Sequence, residues 1–301
     1  MGRLDGKIAM VTGTGPNIGS GLAVGLAQAG AIVACNDVRP EHVDQALGRI
    51  RAAGGEGLAI PGDVTDEASV KANVQKVLST YGKIDILVNS AAILGGKGVL
   101  DYDLKDFERQ VRVILSGTFL YTKHVAHAMI ERHIRGSIIC ILSTAAWQGQ
   151  PGNVGYCTAK SGLINFVRST AMELAQYSIR VNGFTPTATQ PDNPEVIEQQ
   201  RQQAATQGSS RVGGFTSEFA RMVPMGELPT PTDYAHAVVF LASDDARLIT
   251  GTDIKVDGGA TAKYWPWIPP ERNRSPDCIG GCKPETGPAV RWGPVSFRVH
   301  L

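Results

Sequence analysis

Apolar residues along this chain come in short, nearly unbroken runs separated by longer amphipathic stretches. The runs KIAMVT (7–12), AIVACND (31–37), GLAIPGD (57–63), IDILVN (84–89), SIICILS (137–143), IRVNGF (179–184) and DIKVD (253–257) are rich in β-branched side chains. Continuous apolar character over so short a span marks strands covered on both faces. Between them, helical spacing governs 19–29, 40–53, 66–81, 103–131, 155–176 and 230–243, and the first three stretches end at Gly30, Gly54 and Gly82. Glycine is the usual residue past a helix end. Strand–helix alternation predicts an α/β fold, a doubly wound single domain with a parallel sheet between two helical layers, over residues 1–260.

Two segments break the rhythm. Residues 187–225 interrupt the alternation after the sixth strand, and so long a connection at the carboxyl end of a strand predicts a substrate lid. Its Glu195, Glu198 and Arg201, set among Gln199, Gln200, Gln202 and Gln203, read as a solvated helix face. Residues 261–301 hold seven prolines with Trp265, Trp267 and Trp292 and lack strand or helix periodicity. They predict a C-terminal extension, loosely attached or packed through its aromatics on the domain or a neighbouring subunit.

The chain of 301 residues carries a net charge of +1 and 43% hydrophobic residues. That balance leaves no electrostatic footprint for nucleic acid or an anionic membrane. No apolar run reaches a membrane-spanning length, and the start has neither a signal-like apolar core nor the Ser or Thr that myristoylation of Gly2 would want. A cytoplasmic location is expected. Five cysteines do not form a disulfide framework. Cys35, Cys140 and Cys157 read as small hydrophobes, and Cys278 and Cys282 form a lone pair without further ligands. His124 and His127 share a helix face without a third ligand, so no metal site is expected.

Candidate chemistry begins at VTGTGPNIGSG (11–21), a glycine-rich turn between the first strand and the first helix. In that setting helix-start N–H groups face a pyrophosphate and glycines let the backbone approach it. Gly13 and Gly19 hold the outer positions, with Asn17 between them and Ile18 opening the helix. Asn17 is expected to take the left-handed conformation that glycine would use. Asp37 stands at the end of the second strand. A carboxylate there accepts both ribose hydroxyls of an adenosine and repels a 2′-phosphate, which favours NAD over NADP. Arg39 nearby leaves NADP open, and a helix-capping role before Pro40 is the alternative for Asp37.

Tyr156 and Lys160 lie four residues apart in GYCTAK, on one helix face, with Ser143 thirteen positions upstream of the tyrosine. A phenol beside a cation is a route to a tyrosine that exchanges protons near neutral pH. Ser143 is placed to stabilise charge on a substrate oxygen. Trp147, after Ser143, is expected to approach the pocket mouth or to fill core space.

With TGTGPNIG at 12–19, GDV at 62–64, NSAA at 89–92, Ser143, YCTAK, RVNGFTPT at 180–187 and VDGG at 256–259 in this order, the chain resembles the short-chain dehydrogenases/reductases over residues 1–260. The resemblance implies a seven-stranded Rossmann sheet, an NAD(P)-linked interconversion of alcohol and carbonyl, and a homotetramer or homodimer. It assigns catalysis to Ser143, Tyr156 and Lys160, and cofactor contacts to Gly13, Asn17, Ile18, Gly19, Asp37, Asp63, Val64, Asn89, Tyr156, Lys160, Pro186 and Thr189. Pro186 and Thr189 would lie near the nicotinamide carboxamide, and Lys160 would also hold the nicotinamide ribose. Ile114 stands where the family has an asparagine that helps hold a water linking the lysine to solvent. Ser90, Ala92 and Thr187 depart at backbone positions. These readings imply an NAD-dependent oxidoreductase that interconverts a secondary alcohol, such as a hydroxysteroid, cyclic alcohol or diol, and its ketone by hydride transfer. The alternatives are an NADPH-dependent ketone or 3-oxoacyl-type reductase and a catalytically weakened sensor or scaffold.

Overall fold

The computed structural model describes residues 2–95, 98–198, 202 and 219–264. The chain divides into a unit of residues 1–269 and another of 270–301. The latter lies outside the described residues, as do Trp265, Trp267, Cys278, Cys282 and Trp292, and in the lid Gln199, Gln200, Arg201 and Gln203.

All seven apolar runs form strands of one parallel sheet: β1 Ile8–Thr12, β2 Ile32–Asn36, β3 Gly57–Ala59, β4 Ile86–Asn89, β5 Ser137–Ile141, β6 Arg180–Pro186 and β7 Asp253–Val256. Their order is β3-β2-β1-β4-β5-β6-β7. The order reverses between β1 and β4, and in open parallel sheets the crevice at such a switch point receives ligands. Register brings Thr12 opposite both Asn36 and Asn89. The polar carboxyl ends of three strands therefore line one edge.

Helices cover both faces. On one side lie α1 (Ile18–Gln28), α2 (Pro40–Ala52) and α7 (Pro231–Ala242), which bury Leu22, Leu26, Leu47, Tyr234 and Val238. On the other lie α3 (Glu67–Tyr81), α4 (Leu104–Val111), α5 (Gly117–Glu131) and α6 (Val154–Leu174). The two ends expected at 66 and 230 are caps. Asp66 accepts from the N–H groups of Ala68 and Ser69, and Thr230 forms a reciprocal capping box with Asp233.

The single helix expected over 103–131 is instead α4 and α5 joined by a π turn at Arg112–Ser116. Apolar spacing alone does not register one extra residue in a turn. Within it the Thr118 hydroxyl donates to the Ile114 carbonyl at 2.7 Å, taking up an acceptor that the wide turn leaves available. Among the described residues, no helix is long and apolar enough to cross a membrane.

Candidate active site

At the β1–α1 junction Gly13 is the left-handed residue, at φ +67°, and a Cβ there would sit 2.5 Å from the Ala91 Cα. A Cβ on Gly19 would meet the Gly13 carbonyl oxygen at 1.9 Å, so the turn closes on itself. Asn17 corrects the sequence reading. Its φ is −104°, so it holds the N-cap position of α1 at negative φ, without a side-chain capping bond, and Gly13 supplies the left-handed conformation.

A cavity of about 760 Å³ opens at the crevice, lined by Gly13, Asp37, Asp63 and Val64 among the predicted residues, with Ser90 and Ala91 on its floor. Asp37 does not cap α2; Arg39 holds that position. The Asp37 Oδ1 accepts from the Arg39 N–H at 3.0 Å and stands 3.3 Å from the His42 Nδ1. Asp63 accepts from the Thr65 N–H at 2.8 Å. Ile18 and Gly19 lie at the N-terminus of α1, where helix N–H groups are free for an anion.

Asn89, Pro186 and Thr189 are not among the residues that line this cavity. Asn89 donates to the Thr122 hydroxyl at 3.1 Å and so shapes the strand edge from beneath. Pro186 ends β6, and the Thr189 hydroxyl donates to the Thr187 carbonyl at 3.0 Å beside the Tyr234 hydroxyl at 3.1 Å. The side-chain oxygens of Asn17, Asn36 and Asn89 are buried without a hydrogen-bond partner among the described residues. Buried polar atoms in folded chains are normally paired. Three orphans around a glycine-lined crevice fit a polar cofactor such as a dinucleotide.

The second half of the site is built on α6. Tyr156 lies in its first turn and Lys160 one turn on, with the Lys160 Nζ 5.7 Å from the phenol ring centroid. Ser143 follows β5 and accepts from the Ala145 N–H at 3.1 Å. The Ser161 hydroxyl donates to the Ala146 carbonyl at 2.8 Å, which fastens the serine loop to the tyrosine helix. The three residues are thus brought together by β5, its following loop and α6.

Electrostatics here differ from the sequence expectation. Burial raises the Tyr156 pKa, the Ser143 hydrogen bond opposes that rise, and the nearby Cys157 adds to it. Lys160 is not among the groups that lower it. Its ammonium donates instead to the Ile141 carbonyl, and it is 2% exposed. Desolvation brings the lysine pKa down to about 8. At neutral pH the chain alone therefore holds a protonated phenol and a lysine that is still mostly cationic.

Ile114 is fully buried in an apolar cluster with Cys140, Leu142, Ala159 and Leu163, against which Tyr156 also packs. Burial pushes the Cys140 thiol up to about 12, so this side offers no readily ionised group. Ile114→Asn would place an amide among these side chains. It is expected to lower stability by about 1–3 kcal/mol through an unsatisfied polar group. If the amide recruits a polar path to Lys160, the pH–rate profile moves as well. An unchanged profile beside the stability loss would show that the relay runs elsewhere.

Trp147 turns toward the far edge of the sheet. Its Nε1 donates to the Thr185 hydroxyl at 3.3 Å, Thr185 donates to Asp253 at 2.8 Å, and the Lys255 ammonium sits 3.9 Å from the ring centroid. A ring capped by a cation is held in place, so the tryptophan buttresses the loop that carries Ser143. His124 contacts Glu67 at 2.8 Å, and Lys123 contacts the same oxygen at 3.0 Å. These bonds lower the Glu67 pKa to about 2. Among the described residues no group of three metal-ligating side chains occurs.

A family model described as enoyl-(acyl carrier protein) reductase, of the short-chain alcohol dehydrogenase type, matches residues 13–261. The chain belongs to the short-chain dehydrogenase/reductase family. An uncharacterized oxidoreductase of Bacillus subtilis is 35% identical over 88% of this chain and 95% of its own. The D-threitol dehydrogenase of Mycolicibacterium smegmatis is 33% identical over 87% and 95%. Among solved structures, levodione reductase superposes with a TM-score of 0.78 at 28% identity, over 87% of this chain and all of that one. A short-chain dehydrogenase/reductase from Mycobacterium marinum gives 0.75 at 28%, over 86% and 97%. As a member of this family the chain is an oxidoreductase that uses a nicotinamide cofactor, NAD or NADP.

Two polar residues of the site had only weak sequence signals. His42 stands five positions after Asp37, in the first turn of α2, where helix phase could have paired them. Asn193, in the segment after β6, donates to the Pro16 carbonyl at 3.1 Å and ties the root of the predicted lid to the glycine-rich turn. Nothing in the local sequence announces that link.

Proposed function

We propose that the protein is an NAD-dependent dehydrogenase that interconverts a secondary alcohol and its ketone. The observation that carries this reading is the placement of Tyr156 and Lys160 one turn apart on α6, the Lys160 Nζ 5.7 Å from the phenol ring centroid, with Ser143 on the loop that Ser161 fastens to that helix. A bound nicotinamide supplies the hydride acceptor in oxidation and the donor in reduction. In oxidation Tyr156 takes the alcohol proton as the C–H hydride leaves; in reduction the phenol returns that proton to the new alkoxide. Ser143 holds the substrate oxygen as its charge develops. Lys160 keeps a positive charge beneath the phenol and favours its ionised form when the cofactor is in place.

Support for NAD comes from Asp37, whose Oδ2 has no hydrogen-bond partner among the described residues and which lines the cavity beside Gly15. Relatives named for D-threitol and L-rhamnose oxidation, and the structural similarity to levodione reductase, favour a polyol, sugar or cyclic substrate. We propose residues 187–225 as the substrate lid and expect a cytoplasmic homotetramer or homodimer. A second reading, a ketone reductase, draws on the burial that keeps the Tyr156 phenol protonated and on the likeness to a 3-oxoacyl-[acyl-carrier-protein] reductase of Thermotoga maritima.

A panel of tetritols, aldoses and cyclic diols with NAD⁺, read at the reduced nicotinamide absorbance, tests the first reading. Turnover is expected for at least one class, with a rate that rises with pH as the phenol ionises. Asp37→Ser is expected to narrow the preference for NAD⁺ over NADP⁺ about tenfold or more. Reduction of ketones alone, with NADPH bound more tightly than NADH, would replace the first reading by the second.

A further inference from the structure

We propose that His42 is a specificity-determining residue whose protonation sets how strongly the site discriminates against NADP. The inference rests on the reading of Asp37 as the adenosine-ribose ligand.

The geometry is compact. His42 Nδ1 stands 3.3 Å from Asp37 Oδ1, and the two side chains are 20% and 12% exposed. A Cβ built on Gly15 would lie 3.7 Å from both the Asp37 Oδ2 and the His42 Nδ1. The glycine thus leaves open a wedge that carboxylate and imidazole face together, at the mouth of the 760 Å³ cavity. Arg39 flanks the wedge from the start of α2, and its N–H already holds Oδ1. Asp63 lies on the cavity lining, and Lys105, Glu108, Arg109 and Arg112 line it from α4 and the π turn.

Cations outnumber carboxylates around this slot, and Asp37 is the carboxylate that turns a 2′-phosphate away. Histidine is the side chain whose charge ordinarily changes between pH 5 and 8. With a neutral imidazole, the His42–Asp37 pair is a net anion. With a cationic one it is neutral, and Arg39, Lys105, Arg109 and Arg112 then face a phosphate against Asp63 and Glu108 alone. One charge acting on a phosphate across a partly solvated slot changes affinity about tenfold.

Calorimetric titration of the full chain with NAD⁺ and with NADP⁺ from pH 8.5 to 5.5 tests this without turnover. The 2′-phosphate itself titrates near pH 6, so the readout is the difference between wild type and His42→Gln, which retains a donor to Asp37 but cannot titrate. The ratio of NADP⁺ to NAD⁺ affinity is expected to rise about tenfold more on acidification in wild type than in the variant. Proton NMR of the wild-type histidine rings gives a second measure. NADP⁺ is expected to move one histidine titration to higher pH, and NAD⁺ is not. Superimposable wild-type and variant ratios, or no cofactor-specific histidine shift, would overturn the inference while NAD⁺ still binds. Failure of both cofactors to bind would overturn the Asp37 reading with it.

Discussion

Tyr156→Phe is expected to lower kcat about 10³-fold, the scale of a lost general acid–base, while cofactor affinity and the fold persist. The ring packs against the Ile114–Leu163 cluster through its apolar body, and phenylalanine keeps that body. The hydroxyl lost is the one whose pKa Ser143 holds down, and Ser143 still accepts from the Ala145 N–H. The stability change should stay near 1 kcal/mol, the net worth of one hydrogen bond. Turnover of the best panel substrate, cofactor titration and urea unfolding on the same preparation check the three parts. Adding Ser143→Ala to the phenylalanine variant should cost little more, because residues acting as a unit are not additive. A kcat within tenfold of wild type would remove Tyr156 from the proton step.

The second large effect falls on Lys160, where stability and activity should move in opposite directions. An ammonium buried to this extent is a cost to the fold, only partly offset by its bond to the Ile141 carbonyl. Its pKa in the folded chain, about 8, lies below the ordinary 10.5. Between those values the unfolded chain binds the extra proton, so wild-type stability rises with pH across that window. Below about pH 8 both states are protonated and the penalty is constant. Lys160→Met removes the penalty. It should unfold at higher urea than wild type at pH 7, by roughly 1–3 kcal/mol, with the difference shrinking as pH climbs toward 10.5. Turnover should fall steeply over the same range. A methionine variant that is less stable than wild type at pH 7 would mean that the carbonyl bond outweighs desolvation.

Both expectations depend on burial, and that divides what the sequence reveals from what it hides. Strands announce themselves because a parallel sheet covered on both faces demands unbroken β-branched runs, and SIICI and IAMVT meet that demand directly. The Gly13–Gly19 turn, Asp37 and the Tyr156–Lys160 spacing are legible because one local geometry requires those residue types at those intervals. The sign of the shift at Tyr156 is not legible. It depends on how deeply α6 sits against β5 and on the lysine having turned to a carbonyl. Trp147 illustrates the same limit, since its partners Thr185, Asp253 and Lys255 come from strands distant in sequence. The third apolar run extends to Asp63, yet only Gly57–Ala59 pairs as strand. Its remainder stays beside β2 through the Ile60 and Gly62 N–H groups, which donate to the Cys35 and Asp37 carbonyls, and so carries Asp63 to the cavity.

The π turn at Arg112–Ser116 has a consequence for the aim of α4. A π turn is an α-helix carrying one surplus residue, and each residue turns a helix by about 100°. The surplus therefore fixes the rotational phase of everything upstream relative to α5. In the present phase Arg109 and Arg112 line the cavity at the sheet crevice, while Gln110 is buried, bonded to Tyr102 and close to Gly155 beside Tyr156. A straight helix would swing the cations off the cavity and carry Gln110 away from Gly155. One residue's worth of excess length thus acts as a gear tooth, meshing the cavity wall with the helix that carries Tyr156 and Lys160.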